Sequence, residues 1–163
     1  MKAFEREVLL LADALRSRQM KLASAESCTG GLIAAACTAI AGSSDWFERG
    51  FVTYSNESKS DMLGVAPTLI ASHGAVSREV AKAMAEGALK HSGANVSVAV
   101  TGIAGPGGAT PGKPVGTVWL AIARLDVETQ TELLQLNGDR TAIREQTVHH
   151  ALQRLVALVA ATR

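Results

Sequence analysis

The segment at residues 27–31 carries a hydroxyl, a thiol, a second hydroxyl and two glycines. Small residues at 22–25 precede it and an apolar run at 32–36 follows, a pattern that predicts a buried strand, a tight turn and the start of a helix. The first N–H groups of a helix lack partners within it and bind negative charge. A nucleophile in this turn would therefore lie beside donors for an oxyanion. The plainer interpretation is that Ser27 or Thr29 only caps the helix.

Lys59 is the second group with a chemical use. It falls in the first turn of a helix predicted to run from an N-cap at Asn56 to Leu63, where a cation is disfavoured. A lysine serves as a general base when burial or a nearby cation lowers its pKa. Ser27 and Lys59, with Tyr54 as a proton relay, are then a workable set for acyl transfer. The alternative is a solvated surface lysine, which is the usual position of this residue.

Other catalytic schemes find less support in the sequence. Of the four histidines, His73 lies in a predicted loop and the others lie on predicted helices, without a matching acid for a Ser-His-Asp triad. Cys28 with a histidine base stays open, although no histidine is an obvious partner. No cluster of metal ligands supports metal-assisted hydrolysis. The glycine-rich loop at 102–114 matches neither the Walker A pattern nor G-x-G-x-x-G, so no cofactor is expected.

Hydrophobic periodicity predicts the elements that must position these groups. Phe4, Val8, Leu11 and Leu15 fall on one face of a first helix that ends near Arg18. The further elements that the pattern predicts are a strand at 22–25, a helix at 34–41, a strand at 47–54, helices at 56–63, 67–72 and 77–93, strands at 96–101, 117–123 and 131–136, and a helix from 141.

This order of elements predicts an α/β fold. We expect a single domain over residues 1–163, built as a three-layer α/β/α sandwich with a mixed central sheet. The strands at 117–123 and 131–136 would form an antiparallel hairpin. Strand ends at one edge of such a sheet form its usual ligand crevice. The polar turns that compete for that edge are 27–31, 54–59, 102–114 and 137–140.

Composition and charge exclude several functional classes. The chain has 163 residues and a formal net charge of +1, and no basic block indicates a nucleic-acid groove or an anionic membrane surface. No apolar run reaches the roughly 18–20 residues that span a bilayer. The charged N-terminus is unlike a signal peptide. Cys28 and Cys37 match no metal-binding spacing and predict no structural disulfide, so a reducing cytoplasm is the expected location.

Several short motifs follow one another along the chain in a specific order. They are AESCTGG at 25–31, GFVTYSNE at 50–57 followed by Lys59, HGAVS at 73–77, TGIAGP at 101–106, KPVGTV at 113–118 and GDR at 138–140. Together they resemble the CinA C-terminal domain family in its stand-alone bacterial form. The resemblance covers about residues 5–160, which is nearly the whole chain.

The resemblance implies an activity and a set of catalytic residues. It implies hydrolysis of the carboxamide of nicotinamide mononucleotide to nicotinate mononucleotide and ammonia, in pyridine-nucleotide (NAD) salvage and without a metal. Ser27 matches the nucleophile, Lys59 the general base and Tyr54 the supporting hydroxyl. Arg140 matches a residue tied to catalysis or substrate binding. The resemblance also implies a homodimer.

The chemistry of amide hydrolysis is consistent with this assignment. An amide is a poor electrophile, so an activated serine also needs oxyanion donors, and the N–H groups of Thr29, Gly30 and Gly31 are the candidates. Cys28, beside the nucleophile, is interpreted as a packing residue. Two roles stay open for Glu26, which either orients Lys59 or caps a turn.

The substrate phosphate needs a cation or a nest of backbone N–H groups. Arg140 is the first candidate, and Arg144 lies one helical turn further on. Thr101, at the end of the strand at 96–101, and Gly102 and Gly105 in the glycine-rich loop are also predicted to bind substrate. The alternatives are a non-catalytic nucleotide-binding module and a hydrolase of another small amide.

Overall fold

The structure is a computed structural model that describes residues 1–161. Short 3-10 turns occur at Lys2–Phe4 and Ser43–Asp45. The helices and strands are α1 (Glu5–Ser17), β1 (Leu22–Glu26), α2 (Leu32–Thr38), β2 (Phe47–Val52), α3 (Asn56–Leu63), α4 (Pro67–His73), α5 (Arg78–Lys90), β3 (Val96–Gly102), β4 (Thr117–Arg124), β5 (Val127–Gln135) and α6 (Arg140–Ala160).

The strands form one mixed sheet in the order β2-β1-β3-β4-β5. β1 is parallel to both β2 and β3, whereas β4 is antiparallel to β3 and β5. Helical crossovers connect the parallel strands, as parallel pairing requires. A tight turn at Leu125 and Asp126 joins β4 to β5. The predicted mixed sheet and its hairpin are confirmed.

Alternating side chains give the sheet two buried faces. Val96, Val98 and Val100 of β3 enter a core with α1, α2 and α6, whereas Ala99 enters a second core with α5. Ala121 of β4 joins Ala99 in that second core. The period of two along each strand thus separates the two cores, with small residues under α5. The predicted three-layer arrangement is confirmed.

Several predicted boundaries are wrong by a few residues. The helix predicted at 34–41 is α2, which starts at Leu32 and ends at Thr38, and β2 ends at Val52 instead of at 54. The predicted strand at 131–136 is the second half of β5. Asn56 is not the N-cap of α3. Ser55 holds that position, because its backbone is extended and its hydroxyl accepts a hydrogen bond from Ser58 N–H at 3.1 Å.

The sheet brings the polar turns to one edge. Glu26, the last residue of β1, pairs with Val52 of β2 on one side and with Val100 of β3 on the other. The segments that follow these parallel strands therefore leave the sheet side by side. α3 is held against α5 at Gly87, where an added Cβ would collide with the carbonyl oxygen of Leu63. This close approach fixes the helix that carries the candidate base.

Candidate active site

The turn at residues 27–31 places Ser27 directly after β1. Ser27 N–H donates to the carbonyl of Val100 at 3.1 Å, and Gly30 N–H donates to the carbonyl of Ser27 at 3.1 Å. Gly30 and Gly31 have φ values of 58° and 103°, which side chains rarely adopt. The two glycines therefore allow the chain to turn sharply from β1 into α2, with Ser27 at the start of the turn.

Glu26 holds this turn from inside the protein. Its side chain is 0% exposed, and Oε1 accepts hydrogen bonds from Thr29 Oγ1 at 2.6 Å and from Ile33 N–H at 2.8 Å. Oε2 accepts from Ala34 N–H at 3.0 Å. A carboxylate is favoured at a helix N-terminus, where N–H groups lack partners within the helix. Of the two roles left open by the sequence, Glu26 therefore has the capping one.

We expect Glu26→Gln to lower the free energy of unfolding by about 2 kcal/mol, because an amide cannot accept from all three donors and leaves a buried one unpaired. Urea unfolding followed by circular dichroism measures the change. Glu145→Gln, at an exposed position of α6, is the matched control and should leave stability nearly unchanged. Equal stabilities of the two variants would contradict the capping role.

Lys59 is buried beside the nucleophile. Its side chain is 1% exposed, and Nζ lies 3.0 Å from Ser27 Oγ. Three backbone carbonyls surround the same nitrogen, those of Thr53 at 2.8 Å, Tyr54 at 3.2 Å and Ser55 at 3.5 Å. The structure excludes the alternative of a solvated surface lysine.

Burial changes the acid–base properties of the two functional groups next to Ser27. It lowers the pKa of Lys59 below the usual lysine value, against a smaller opposing effect of Cys28. A lowered pKa is the direction that a lysine base requires. Burial raises the pKa of the Cys28 thiol to about 12, so the thiol stays protonated at neutral pH and is a weak nucleophile.

Tyr54 and Arg140 meet at the mouth of the site. The Tyr54 side chain is 61% exposed, and its hydroxyl accepts a hydrogen bond from Arg140 Nη2 at 3.2 Å. Arg140 Nη1 donates to the carbonyl of Gly105 at 2.8 Å. Thr101, on the floor of the site, donates its hydroxyl to the carbonyl of Ala75 at 2.9 Å. Arg140 therefore joins the segment after β2 to the glycine-rich loop.

A cleft of about 230 Å³ connects these groups. Its lining contains six residues that the sequence predicted as functional: Ser27, Tyr54, Lys59, Thr101, Gly102 and Arg140. It also contains Cys28 and four residues to which the sequence assigned no substrate role, Asn56, Ala75, Val76 and Ala104. Ala75 and Val76 belong to the HGAVS motif at 73–77. This motif is the feature of the sequence from which their place in the cleft wall could have been predicted. The other predicted substrate-binding residues, Thr29, Gly30, Gly31, Gly105 and Arg144, are not part of the lining.

A family model of the CinA C-terminal domain matches residues 5–159. The chain belongs to the CinA C-terminal domain family. It is 52% identical over 145 residues to nicotinamide-nucleotide amidohydrolase PncC of Escherichia coli K12, covering 89% of this chain and 88% of that protein. It is 54% identical over 142 residues to a CinA-like protein of Akkermansia muciniphila, covering 87% of this chain and 34% of that protein. The chain thus spans about a third of the length of the latter relative.

A solved structure has the same fold as this chain. The competence/damage inducible protein CihA of Agrobacterium tumefaciens superposes with a TM-score of 0.91 at 48% sequence identity, covering 95% of this chain and 94% of that one. Within residues 1–161 of this CinA domain, no group of three or more histidine, cysteine or acidic side chains is placed to hold a metal. None of the helices in this range combines the length and the hydropathy of a transmembrane span.

A second cavity of this CinA domain is larger but lacks catalytic groups. It has a volume of about 390 Å³ and lies between α3 and α4, with Glu57, Asp61 and Ile70 in its wall. It shares only Asn56 with the cleft around Ser27. Its lining contains the hydroxyl of Ser60 but no cation or histidine base to activate it, so the smaller cleft is the candidate active site.

Proposed function

We propose that this chain is an amidohydrolase that converts nicotinamide mononucleotide to nicotinate mononucleotide and ammonia in pyridine-nucleotide salvage. The observation that carries the proposal is the buried Lys59 Nζ at 3.0 Å from Ser27 Oγ, inside a cleft with a cation at its mouth. The name of the Escherichia coli relative supports the choice of substrate, since that protein matches nearly the whole chain.

The proposed mechanism requires Lys59 as a neutral amine. Such an amine has two N–H donors and one lone pair. The carbonyls of Thr53 and Tyr54, at 2.8 and 3.2 Å, can take the two N–H groups. The lone pair is then left for Ser27, so in this protonation state the Ser27 hydroxyl donates to Nζ, whereas a protonated Lys59 donates to Ser27 Oγ. In this arrangement Lys59 activates Ser27 as a general base.

The reaction then proceeds in two stages. Ser27 Oγ attacks the carboxamide carbon while its proton passes to Lys59, and a tetrahedral intermediate forms. Lys59 returns the proton to the leaving nitrogen, so ammonia departs and an ester on Ser27 remains. Water attacks this ester, Lys59 takes the water proton, and the returning proton restores Ser27 as nicotinate mononucleotide leaves. The Tyr54 hydroxyl accepts from Arg140, so its own proton is available to support these transfers at the mouth of the cleft.

We assign to Arg140 the role of binding the substrate phosphate. Its guanidinium is anchored by Gly105 and Tyr54, and a guanidinium binds phosphate oxygens in a fixed geometry. Arg140→Lys should raise KM for nicotinamide mononucleotide about tenfold and keep kcat within about threefold. Lysine keeps the positive charge but lacks the paired N–H donors with which a guanidinium binds phosphate oxygens. Steady-state kinetics measure both constants. A loss confined to kcat would place Arg140 in the chemical step instead.

Ammonia release tests the proposed function. Purified protein treated with a chelator should release one ammonia per nicotinamide mononucleotide consumed. Binding of the nucleotide without ammonia would instead support a non-catalytic nucleotide-binding module, since the cleft would be intact and turnover absent. Faster turnover of nicotinamide or glutamine would support a different small-amide hydrolase.

We also propose a cytoplasmic homodimer that acts on a small molecule, without a nucleic-acid or membrane partner. This proposal rests on the family resemblance and on the balanced net charge of +1. Light scattering coupled to size-exclusion chromatography measures the oligomeric state, and a monomeric mass at micromolar concentration would contradict the dimer.

A further inference from the structure

Asn56 lines both the cleft around Ser27 and the larger cavity between α3 and α4. It is exposed, and it is the first residue of α3. Ser55 caps that helix, so the Asn56 side chain is not needed for capping. Within residues 1–161, no group of the protein hydrogen-bonds to the Asn56 side-chain amide. The donor Nδ2 and the acceptor Oδ1 are therefore both available to a ligand.

The hydroxyl and basic side chains of the cleft differ from Asn56, because they already have partners in the protein. The pairs are Ser27 with Lys59, Tyr54 with Arg140, and Thr101 with the carbonyl of Ala75. Thr101 uses its hydroxyl proton in that bond, so it can offer a ligand only an acceptor. Asn56 thus brings to the lining a side chain that carries a free N–H donor and a free carbonyl acceptor on one planar group.

The backbone places Asn56 close to the reacting atoms. Lys59 Nζ, which lies 3.0 Å from Ser27 Oγ, also lies 3.5 Å from the carbonyl oxygen of Ser55. That carbonyl belongs to the peptide unit whose nitrogen is the backbone N of Asn56. Asn56 and Lys59 are also three residues apart on α3, and residues at this spacing are neighbours on a helix surface. The Asn56 side chain therefore starts one peptide unit away from the amine that receives the Ser27 proton, in the wall of the same cleft.

We propose that Asn56 recognises the substrate carboxamide, with Nδ2 donating to its carbonyl oxygen and Oδ1 accepting from its NH2 group. The inference deepens the proposed function and rests on it for the identity of the substrate. The carboxylate of the product has two acceptor oxygens and no N–H, so one of its oxygens would face Oδ1 without a hydrogen bond between them. Asn56 therefore favours the carboxamide of the substrate over the carboxylate of the product.

The first test measures ligand selectivity, because a merely structural role of Asn56 would weaken the binding of both ligands alike. Calorimetry is done in a Ser27→Ala background, so that the substrate is not consumed. Adding Asn56→Leu, which has a similar shape but no hydrogen-bonding group, should raise Kd for nicotinamide mononucleotide about tenfold or more. Kd for nicotinate mononucleotide should change by less than about threefold. Glu57→Gln, at the next residue and outside the lining of the cleft, is the control and should change neither constant. Equal effects of Asn56→Leu on the two ligands, or no effect on either, would overturn the proposal.

The second test needs neither a nucleotide nor turnover. The side-chain NH2 signals of Asn56 in the NMR spectrum of isotope-labelled wild type are assigned by their absence from the spectrum of folded Asn56→Leu. Nicotinamide at millimolar concentration should shift these signals and nicotinate should shift them much less, because only the carboxamide offers both a donor and an acceptor. Such a shift, with no ammonia released from nicotinamide mononucleotide by wild type, would uphold the role of Asn56 and reject the proposed substrate. Signals that respond equally to the two ligands, or to neither, would overturn the role of Asn56.

Discussion

Ser27→Ala will lower kcat for nicotinamide mononucleotide by about 10⁴-fold or more. The nucleophile and its base act together, so removing the serine removes most of the contribution of both. Among residues 1–161, Ser27 carries the one hydroxyl that is hydrogen-bonded to Lys59, whose Nζ lies 3.0 Å from Ser27 Oγ. The Ser27 hydroxyl does not cap α2, because Glu26 holds the N–H groups of that helix. We therefore expect the free energy of unfolding to change by at most about 1 kcal/mol.

Cys28→Ala is the matched control for this result. The thiol is buried next to Ser27, and its pKa is raised to about 12 by burial, so it has little thiolate at neutral pH. Cys28→Ala should keep kcat within about fivefold, since it removes packing and no reacting group. Ammonia release by both variants at saturating substrate measures the difference. If Ser27→Ala kept near wild-type activity and Cys28→Ala were inactive, the nucleophile would be Cys28 and not Ser27.

Lys59→Arg will be nearly inactive, with kcat lowered about 10³-fold or more, because arginine keeps its charge at any working pH and has no lone pair for the Ser27 proton. Lys59→Met is a second variant of similar length that lacks both the charge and the base. Lys82→Met, at an exposed position of α5, is the control for losing a lysine and should keep full activity. Retention of most of the wild-type rate by Lys59→Arg would remove Lys59 from the mechanism.

The kcat/KM of the wild type should increase with pH. Lys59 is a base only as the neutral amine, so kcat/KM should rise with pH through the pKa of Lys59 in the free enzyme. Burial lowers that pKa below the usual value for lysine, so the rise should occur at lower pH than for an exposed lysine. In Lys59→Met the residual activity should lack this rise. A wild-type profile that falls with pH over the same range would contradict a lysine base.

Local patterns in the sequence determined the architecture and the main chemical groups. The alternation in β3, where valines and alanines face different cores, and the apolar periodicity of α1 each depend on residues a few positions apart. The strand–turn–helix at Ser27 has the same local origin. The parallel strands β1, β2 and β3 then follow from the helical crossovers, which explains why the turns after them meet at one edge.

Only the tertiary structure decided how the functional groups contact one another. Glu26 proved to cap α2, although its sequence position was equally compatible with orienting Lys59. Arg144, predicted to bind substrate, contacts the carbonyl of Cys28 across 116 residues of chain. Short-range periodicity and capping signals carry no information about such distances. The contact of Arg144 is decided by the packing of α6 against α2 and β3 in the finished fold, because that packing determines which side chains and carbonyls become neighbours.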